Sequence, residues 1–273
     1  MLGSLVITLR EGTEAALVIG ILLAYLAKTG QASKARGVWL GTALAVLVSL
    51  VAGGFIFFTV GELEEIPEHI FASGATLAAV VIMSYTIYWM HQHASGLRSH
   101  LEHRAARAAG GGSVLALTGL AFLVIVREGI ETALFLFGAA QTTSPTEVVL
   151  GAATGLLAAV ALGLGLYRGG LHLDLRAFFV TTAVLLTFFA AGMLMLGLRE
   201  LIEIGYLPGI VDPVWDSGAL LPEQSLLGQL FRALLGYSAT PSLLEALAYA
   251  AYLLTMLAVF FRSAPALSRA TVQ

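Results

Sequence analysis

Long apolar stretches alternate with short polar connections along the chain. A helix that crosses a bilayer requires about 20 predominantly apolar residues, and seven of these stretches reach that length. They lie at about 3–27, 38–60, 70–91, 114–140, 146–167, 177–198 and 243–261. The pattern predicts an all-α polytopic membrane protein, in which residues 1–273 form a single domain with seven transmembrane helices.

The composition agrees with this prediction. Hydrophobic residues make up 58% of the chain and charged residues 11%, and the mean hydropathy is +0.90. About a quarter of the residues in a soluble domain are charged, so the composition excludes an ordinary soluble enzyme, a nucleic-acid-binding protein and a disordered protein. The sequence contains no cysteine, which also excludes a thiolate metal site and a thiol nucleophile.

The charged residues of the connections are separated by sign. Most acidic residues are on one predicted side of the membrane. Ten basic residues are on the other side: Lys28, Lys34, Arg36, Arg98, Arg104, Arg107, Arg168, Arg176, Arg262 and Arg269. Because basic connections stay in the cytoplasm, this separation predicts that the N-terminus is outside and the C-terminus inside, in the inner or plasma membrane of a cell.

The sequence R-E-G-x-E occurs near the middle of two predicted helices, at residues 10–14 and 127–131. A charge at the bilayer centre costs about 2.5–3.5 kcal/mol on the insertion scale, so six such groups require partners or a use. The two glutamates of each motif are three residues apart and share a helix face, and each arginine can pair with the glutamate four residues later.

Four carboxylates from two facing helices would form an oxygen cage, which suits hard cations. The four are Glu11, Glu14, Glu128 and Glu131. Together with Arg10 and Arg127 they sum to a charge of −2, so a di- or trivalent cation would bring the site near neutrality. The alternative is a buried salt-bridge network that only holds the helices together. Repetition of the motif at matched depth favours the cage.

The two motifs lie in helices of opposite predicted direction. Helices 1–3 and 4–6 are therefore predicted to form an inverted 3+3 repeat, with a seventh helix appended, and transporters of that type bind their substrate near the midplane. Gly12 and Gly129 would permit close helix approach or local unwinding. Helices 2 and 5 begin with G-x-x-x-G pairs, a packing pattern of membrane helices, although 30 glycines could supply such pairs by chance.

A third copy of the motif, R-E-L-I-E at residues 199–203, lies at the outer end of predicted helix 6, and E-L-E-E at residues 62–65 lies at the outer end of predicted helix 2. We expect Glu62, Glu65, Glu200 and Glu203 to form a mouth that collects cations, with a merely solvated acidic rim as the alternative. Tyr88 and Trp89 at the end of helix 3 are typical of an interfacial aromatic belt.

Two R-E-x-x-E motifs in helices 1 and 4 of a seven-span protein resemble the oxidase-dependent iron permease family, and most closely its bacterial branch. The resemblance covers nearly the whole chain. It includes Trp89-Met90, the stretch from Glu200 to Tyr206, Trp215-Asp216 and Gly236-Tyr237. It implies a permease domain for high-affinity iron uptake, with no permanently bound cofactor. It also implies a separate extracytoplasmic oxidase or iron-delivery partner.

By this resemblance, the glutamates of both motifs are iron ligands during passage, and Arg10 and Arg127 orient them. Thr13 departs from the family pattern, and its hydroxyl would either add a ligand or bond its own helix. Counting charge alone favours ferrous iron, which would neutralise the site. The hardness of the ligands and the resemblance favour ferric iron as the substrate.

Three other functions remain as alternatives. The oxygen cage alone does not separate iron from manganese or another divalent cation. A membrane-embedded di-iron oxidase is disfavoured because such sites usually include Glu-x-x-His pairs, and the histidines here, such as His69 and His91, lie at or beyond the span ends. A non-transporting iron sensor is disfavoured by the inverted repeat. The sequence also contains no phosphate-binding G-x-x-x-x-G-K-[ST] segment for ATP.

Overall fold

A computed structural model describes residues 1–60, 65–93, 103–108, 114–141, 143–167 and 175–262. Within these ranges the regular elements are helices, and eight α-helices have defined bounds. They are α1 (Leu2–Lys28), α2 (Ala35–Val60), α3 (Glu65–His93), α4 (Val114–Ala140), α5 (Pro145–Tyr167), α6 (Leu175–Glu203), α7 (Leu226–Leu235) and α8 (Leu243–Arg262). A 3-10 turn at Ala32–Lys34 precedes α2.

The seven predicted stretches correspond to α1 to α6 and α8, with three differences. The prediction for the third helix was wrong at its start, since α3 begins at Glu65 and this residue is not at the end of the second helix. The sixth helix continues to Glu203 and contains the third motif. The connection before α8 contains an additional helix, α7. The hydropathy pattern did not predict it, because its ten residues are too short for a window of span length.

In the part of the chain that the structure describes, five helices are long and apolar enough to cross a membrane. The qualifying segments are Ala32–Phe58, Ile66–Met90, Pro145–Gly165, Ala177–Glu203 and Leu243–Phe260. Helices α1 and α4 have a similar length of 27 residues each, but each carries the three charged residues of its motif. The chain is therefore an all-helical membrane protein in its described parts.

The packing places α1 and α4 at the centre of the bundle. They contact each other, α5 packs along α1, and α2 packs along α4. Helix α3 packs against α6, and α8 packs against α6 and also contacts α3. Helix α1 contacts α2, α4, α5 and α6, and α4 contacts α1, α2, α3 and α5, so the two motif-bearing helices lie between their neighbours.

Glycines permit the close approach of α2 to α4 and of α5 to α1. A Cβ atom at Gly41 would overlap the carbonyl oxygen of Thr118, and one at Gly155 would overlap that of Leu5. Both G-x-x-x-G pairs therefore lie at helix contacts. The motif glycines act in the same way, because a Cβ at Gly12 would lie 2.7 Å from the Cβ of Ala159. The helices continue through both motifs without unwinding.

The connection between α6 and α8 contains the short helix α7, which is capped at both ends. The Ser225 hydroxyl caps α7 by accepting a hydrogen bond from the Gly228 amide at 3.0 Å, as N-cap serines do. Gly236 ends α7 with a φ of 68°, a left-handed conformation that favours glycine. The same residue packs directly against Gly192 of α6, which fixes the connection onto the bundle.

We predict that Gly41→Ala lowers the free energy of unfolding by about 1–3 kcal/mol, the usual cost of overpacking a close contact. Gly54→Ala in the same helix is the matched control, because a Cβ there meets nothing within 4 Å. It should be neutral or slightly stabilising, since alanine is preferred to glycine in a helix. Unfolding of the purified variants in mixed detergent micelles measures both values. Equal stabilities would contradict the proposed role of Gly41 in packing.

Candidate metal site

The two central motifs meet in the interior of the bundle. Carboxylate oxygens of Glu11 on α1 and of Glu128 and Glu131 on α4 all lie within 4.8 Å of one another. The three residues are buried, with relative exposures of 1%, 7% and 6%. Oxygens at such separations can contact one cation, because metal–oxygen distances of 2.0–2.6 Å are usual for hard ions. Three of the four predicted ligands are thus brought together.

The fourth predicted ligand, Glu14, is held by Arg10. The Arg10 Nε atom lies 3.2 Å from Glu14 Oε1, and its Nη1 atom donates to Glu11 Oε1 at 3.4 Å. The guanidinium is only 1% exposed. The predicted pairing four residues apart is therefore present, and Glu14 lies beside the group of three rather than within it.

Glu131 has a partner on each carboxylate oxygen. Arg127 Nε donates to Glu131 Oε1 at 2.8 Å, and the Thr86 hydroxyl of α3 donates to Glu131 Oε2 at 2.9 Å. The Arg127 guanidinium also lies 5.7 Å from the centroid of the Trp89 ring, a cation–π distance. Trp89 therefore contacts the site, whereas the sequence indicated only an interfacial belt.

Glu11 and Glu128 each retain an oxygen that nothing satisfies. Among the described residues, no hydrogen-bond partner reaches Glu11 Oε2 or Glu128 Oε2, and both atoms are buried. An unpaired buried carboxylate oxygen is costly. The formal charge of the four glutamates and two arginines is −2. A cation between these oxygens would give each of them a partner, and it would also reduce the negative charge of the site.

Where the N-terminal end of α3 meets the C-terminal end of α6, a second group of side chains comes together. It consists of His69, Glu200 and Glu203, whose ligand atoms lie within 4.8 Å of one another. Of the predicted outer mouth, the structure thus brings Glu200 and Glu203 together and adds His69. Glu62 and the side chain of Glu65 lie outside the described residues.

Several contacts of the site were not predicted. The contact between Thr86 and Glu131 joins residues 45 positions apart, and His69 is 131 positions from Glu200. The sequence predicted neither contact, because the two residues of each contact lie on different helices. Thr86 could have been predicted to contact the site only from being a polar residue on the buried face of α3. The Thr13 hydroxyl donates to the Leu9 carbonyl of its own helix at 2.6 Å.

We predict that Thr86→Val weakens Mn²⁺ binding at the central site by about 10–100-fold, because groups that orient a metal ligand have effects of this size. Thr132→Val is the matched control, since the Thr132 hydroxyl donates to the Glu128 backbone carbonyl and not to a carboxylate. Equilibrium dialysis of Mn²⁺ with the purified variants measures the difference. Indistinguishable affinities for the two variants would remove Thr86 from the site.

Comparisons with known proteins agree over nearly the whole chain. A ferrous iron permease EfeU from Yersinia pestis is 33% identical over 257 residues, which cover 93% of this chain and 91% of the relative. The ferrous iron permease EfeU of Escherichia coli O6:H1 (strain CFT073) is 34% identical over 256 residues, and the match covers 93% of each chain. No solved structure matches the chain.

The profile of the Iron permease FTR1 family matches residues 1–269. This match includes both central motifs, the outer R-E-x-x-E copy and the connection that contains α7. Because the family match and the relatives each extend over most of the length, the chain belongs to the Iron permease FTR1 family.

Proposed function

We propose that this membrane transporter carries iron into the cytoplasm through a central site formed by Glu11, Glu14, Glu128 and Glu131. The main support is the convergence of three buried carboxylates from two helices, with unsatisfied oxygens on Glu11 and Glu128. A network of salt bridges that only holds the helices together would not explain why those two buried oxygens lack a partner. Arg10 and Arg127 orient the glutamates, each from within its own motif.

In this proposal the chain is one permease domain of seven transmembrane helices, α1 to α6 and α8, in the inner membrane. The N-terminus is outside and the C-terminus inside. Helices α1–α3 and α4–α6 form an inverted repeat. The packing supports this repeat, because α1 pairs with α5 as α4 pairs with α2. The motif glycines support it too, since Gly12 faces α5 and Gly129 faces α2.

We further propose that the ion is ferric when it enters the central site. The relatives are named ferrous iron permeases, and for this chain ferrous iron would be the form supplied outside. A separate extracytoplasmic oxidase would transfer one electron from each ferrous ion to its own electron acceptor before entry, or an iron-delivery partner would present the ion already in its ferric form. An all-oxygen anionic site gains more from the higher charge density of ferric iron. Three positive charges moving inward gain about 7 kcal/mol per 100 mV of membrane potential.

The outer mouth precedes the central site in this scheme. Glu200 and Glu203 at the end of α6 collect cations from the outside, together with Glu65 at the start of α3 and Glu62, which precedes it in the sequence. Their field is limited to about 8–10 Å at physiological salt, so it acts on ions that have already approached the protein. Glu200 and Glu203 lie together in the structure, which supports this part of the proposal.

We predict that Glu11→Gln and Glu128→Gln each abolish iron uptake into proteoliposomes, because each removes a charge and an unsatisfied oxygen from the cage. Glu147→Gln is the matched control. Its carboxylate is 47% exposed and forms an ion pair with the Met1 amino group at 3.4 Å, away from the central site, so transport should be unchanged. Full uptake by either cage variant would show that the central site is assigned wrongly.

The valence of the ion is tested with vesicles that contain only this protein. We expect uptake of ferric iron from a weak chelate under an inside-negative potential. We expect little uptake of ferrous iron under anaerobic conditions with a reductant present. Radioactive iron retained in the vesicles measures both. Rapid ferrous uptake would overturn the ferric proposal and favour a general divalent permease, which Mn²⁺ competition would then identify.

A further inference from the structure

We propose that His69, Glu200 and Glu203 form a second metal site, which binds a divalent transition-metal ion at the outer ends of α3 and α6. The inference extends the proposed function, since it assigns a ligand set and an ion class to part of the outer mouth. The three residues come from two helices, and their ligand atoms lie within 4.8 Å of one another.

The packing below the cluster holds these side chains in place. One turn further into the bundle, the Ser73 hydroxyl of α3 donates to the Gly197 carbonyl of α6 at 2.7 Å. The absence of a side chain at Gly197 lets Leu77 approach closely. The His69 Nδ1 atom contacts the Glu200 carboxylate across this junction. Two ligands are therefore positioned before any ion arrives, which reduces the ordering cost of binding.

The third motif directs its arginine away from the cluster. In both central motifs the arginine pairs with the glutamate four residues later. Arg199 instead donates to Glu245 of α8 at 2.7 Å and to the Ser238 hydroxyl at 2.8 Å. The Glu203 carboxylate is thereby released from the pairing that its sequence position would predict. Its residue is exposed, so ions can reach it from solvent.

The ligand chemistry separates this site from the central cage. The imidazole is a borderline ligand that suits ferrous iron and other transition metals, whereas carboxylates alone suit magnesium, calcium and manganese. The outer site would therefore select against the abundant alkaline-earth ions and hold iron in its ferrous form. Its position at the outer surface leaves the ion within reach of the oxidising partner.

The test uses Co²⁺ as the probe, with the full-length chain purified in detergent without a polyhistidine tag. His69→Gln and Glu203→Gln should each weaken one Co²⁺ site by at least about tenfold, as loss of metal-site partners does. His69→Glu should still bind a divalent ion but lose much of the preference for Co²⁺ over Mn²⁺. His103→Gln, a histidine outside the cluster, serves as the control.

A merely structural His69 would give a different result. Titrations of His69→Gln that superimpose on wild type, or an unchanged Co²⁺ preference in His69→Glu, would overturn the proposal. The central site is tested separately by the double variant Glu11→Gln/Glu128→Gln, which should keep the His69-dependent Co²⁺ site. If that variant also transports iron, the proposed function fails, while loss of Co²⁺ binding in His69→Gln would still support the outer site.

Discussion

The burial of charged groups inside apolar helices is the constraint on which the rest of this structure depends. An unpaired charge in a low-dielectric interior costs several kcal/mol, and the two central motifs together contain six charges. They can be buried only where α1 and α4 face each other. Helices α2 and α5, whose outer faces are apolar and largely exposed, then cover the two central helices. Gly12 and Gly129 allow α5 and α2 to pack closely, because each glycine lies directly against one of these helices.

The sequence predicted the helices well where a single physical signal determined them. The hydropathy of 114–140 predicted both ends of α4, since polar or small residues flank a stretch that is apolar on both sides of its central motif. It failed at the start of α3, where Glu65, Pro67 and Glu68 form a polar first turn beyond the apolar stretch. The amphipathic helix α7 was missed because it is short and lies in a polar connection.

The site was predicted only as far as local spacing extends. The pairs between Arg10 and Glu14 and between Arg127 and Glu131 follow from a separation of four residues on a helix. The contributions of Thr86 and Trp89 do not, because they depend on how α3 rotates against α4. Likewise, the glycine pairs of α2 and α5 were weak evidence of helix packing in a sequence with 30 glycines. Their role became clear only from the structure, in which each pair contacts a particular helix.

The three copies of R-E-x-x-E differ in the partner of the arginine, and this difference determines what the glutamates can do. Arg10 and Arg127 remain within their motifs and compensate charge in the interior, where uncompensated carboxylates would be prohibitive. The third copy lies at a helix end that is accessible to solvent, so its glutamates need no such compensation. Arg199 is therefore free to join α6 to α8 through Glu245, an ion pair whose carboxylate also accepts from the Ser242 amide at 2.6 Å. Burial depth thus explains why the arginine stays with its own glutamates at the centre but leaves them at the exposed helix end, where Glu200 contacts His69 instead.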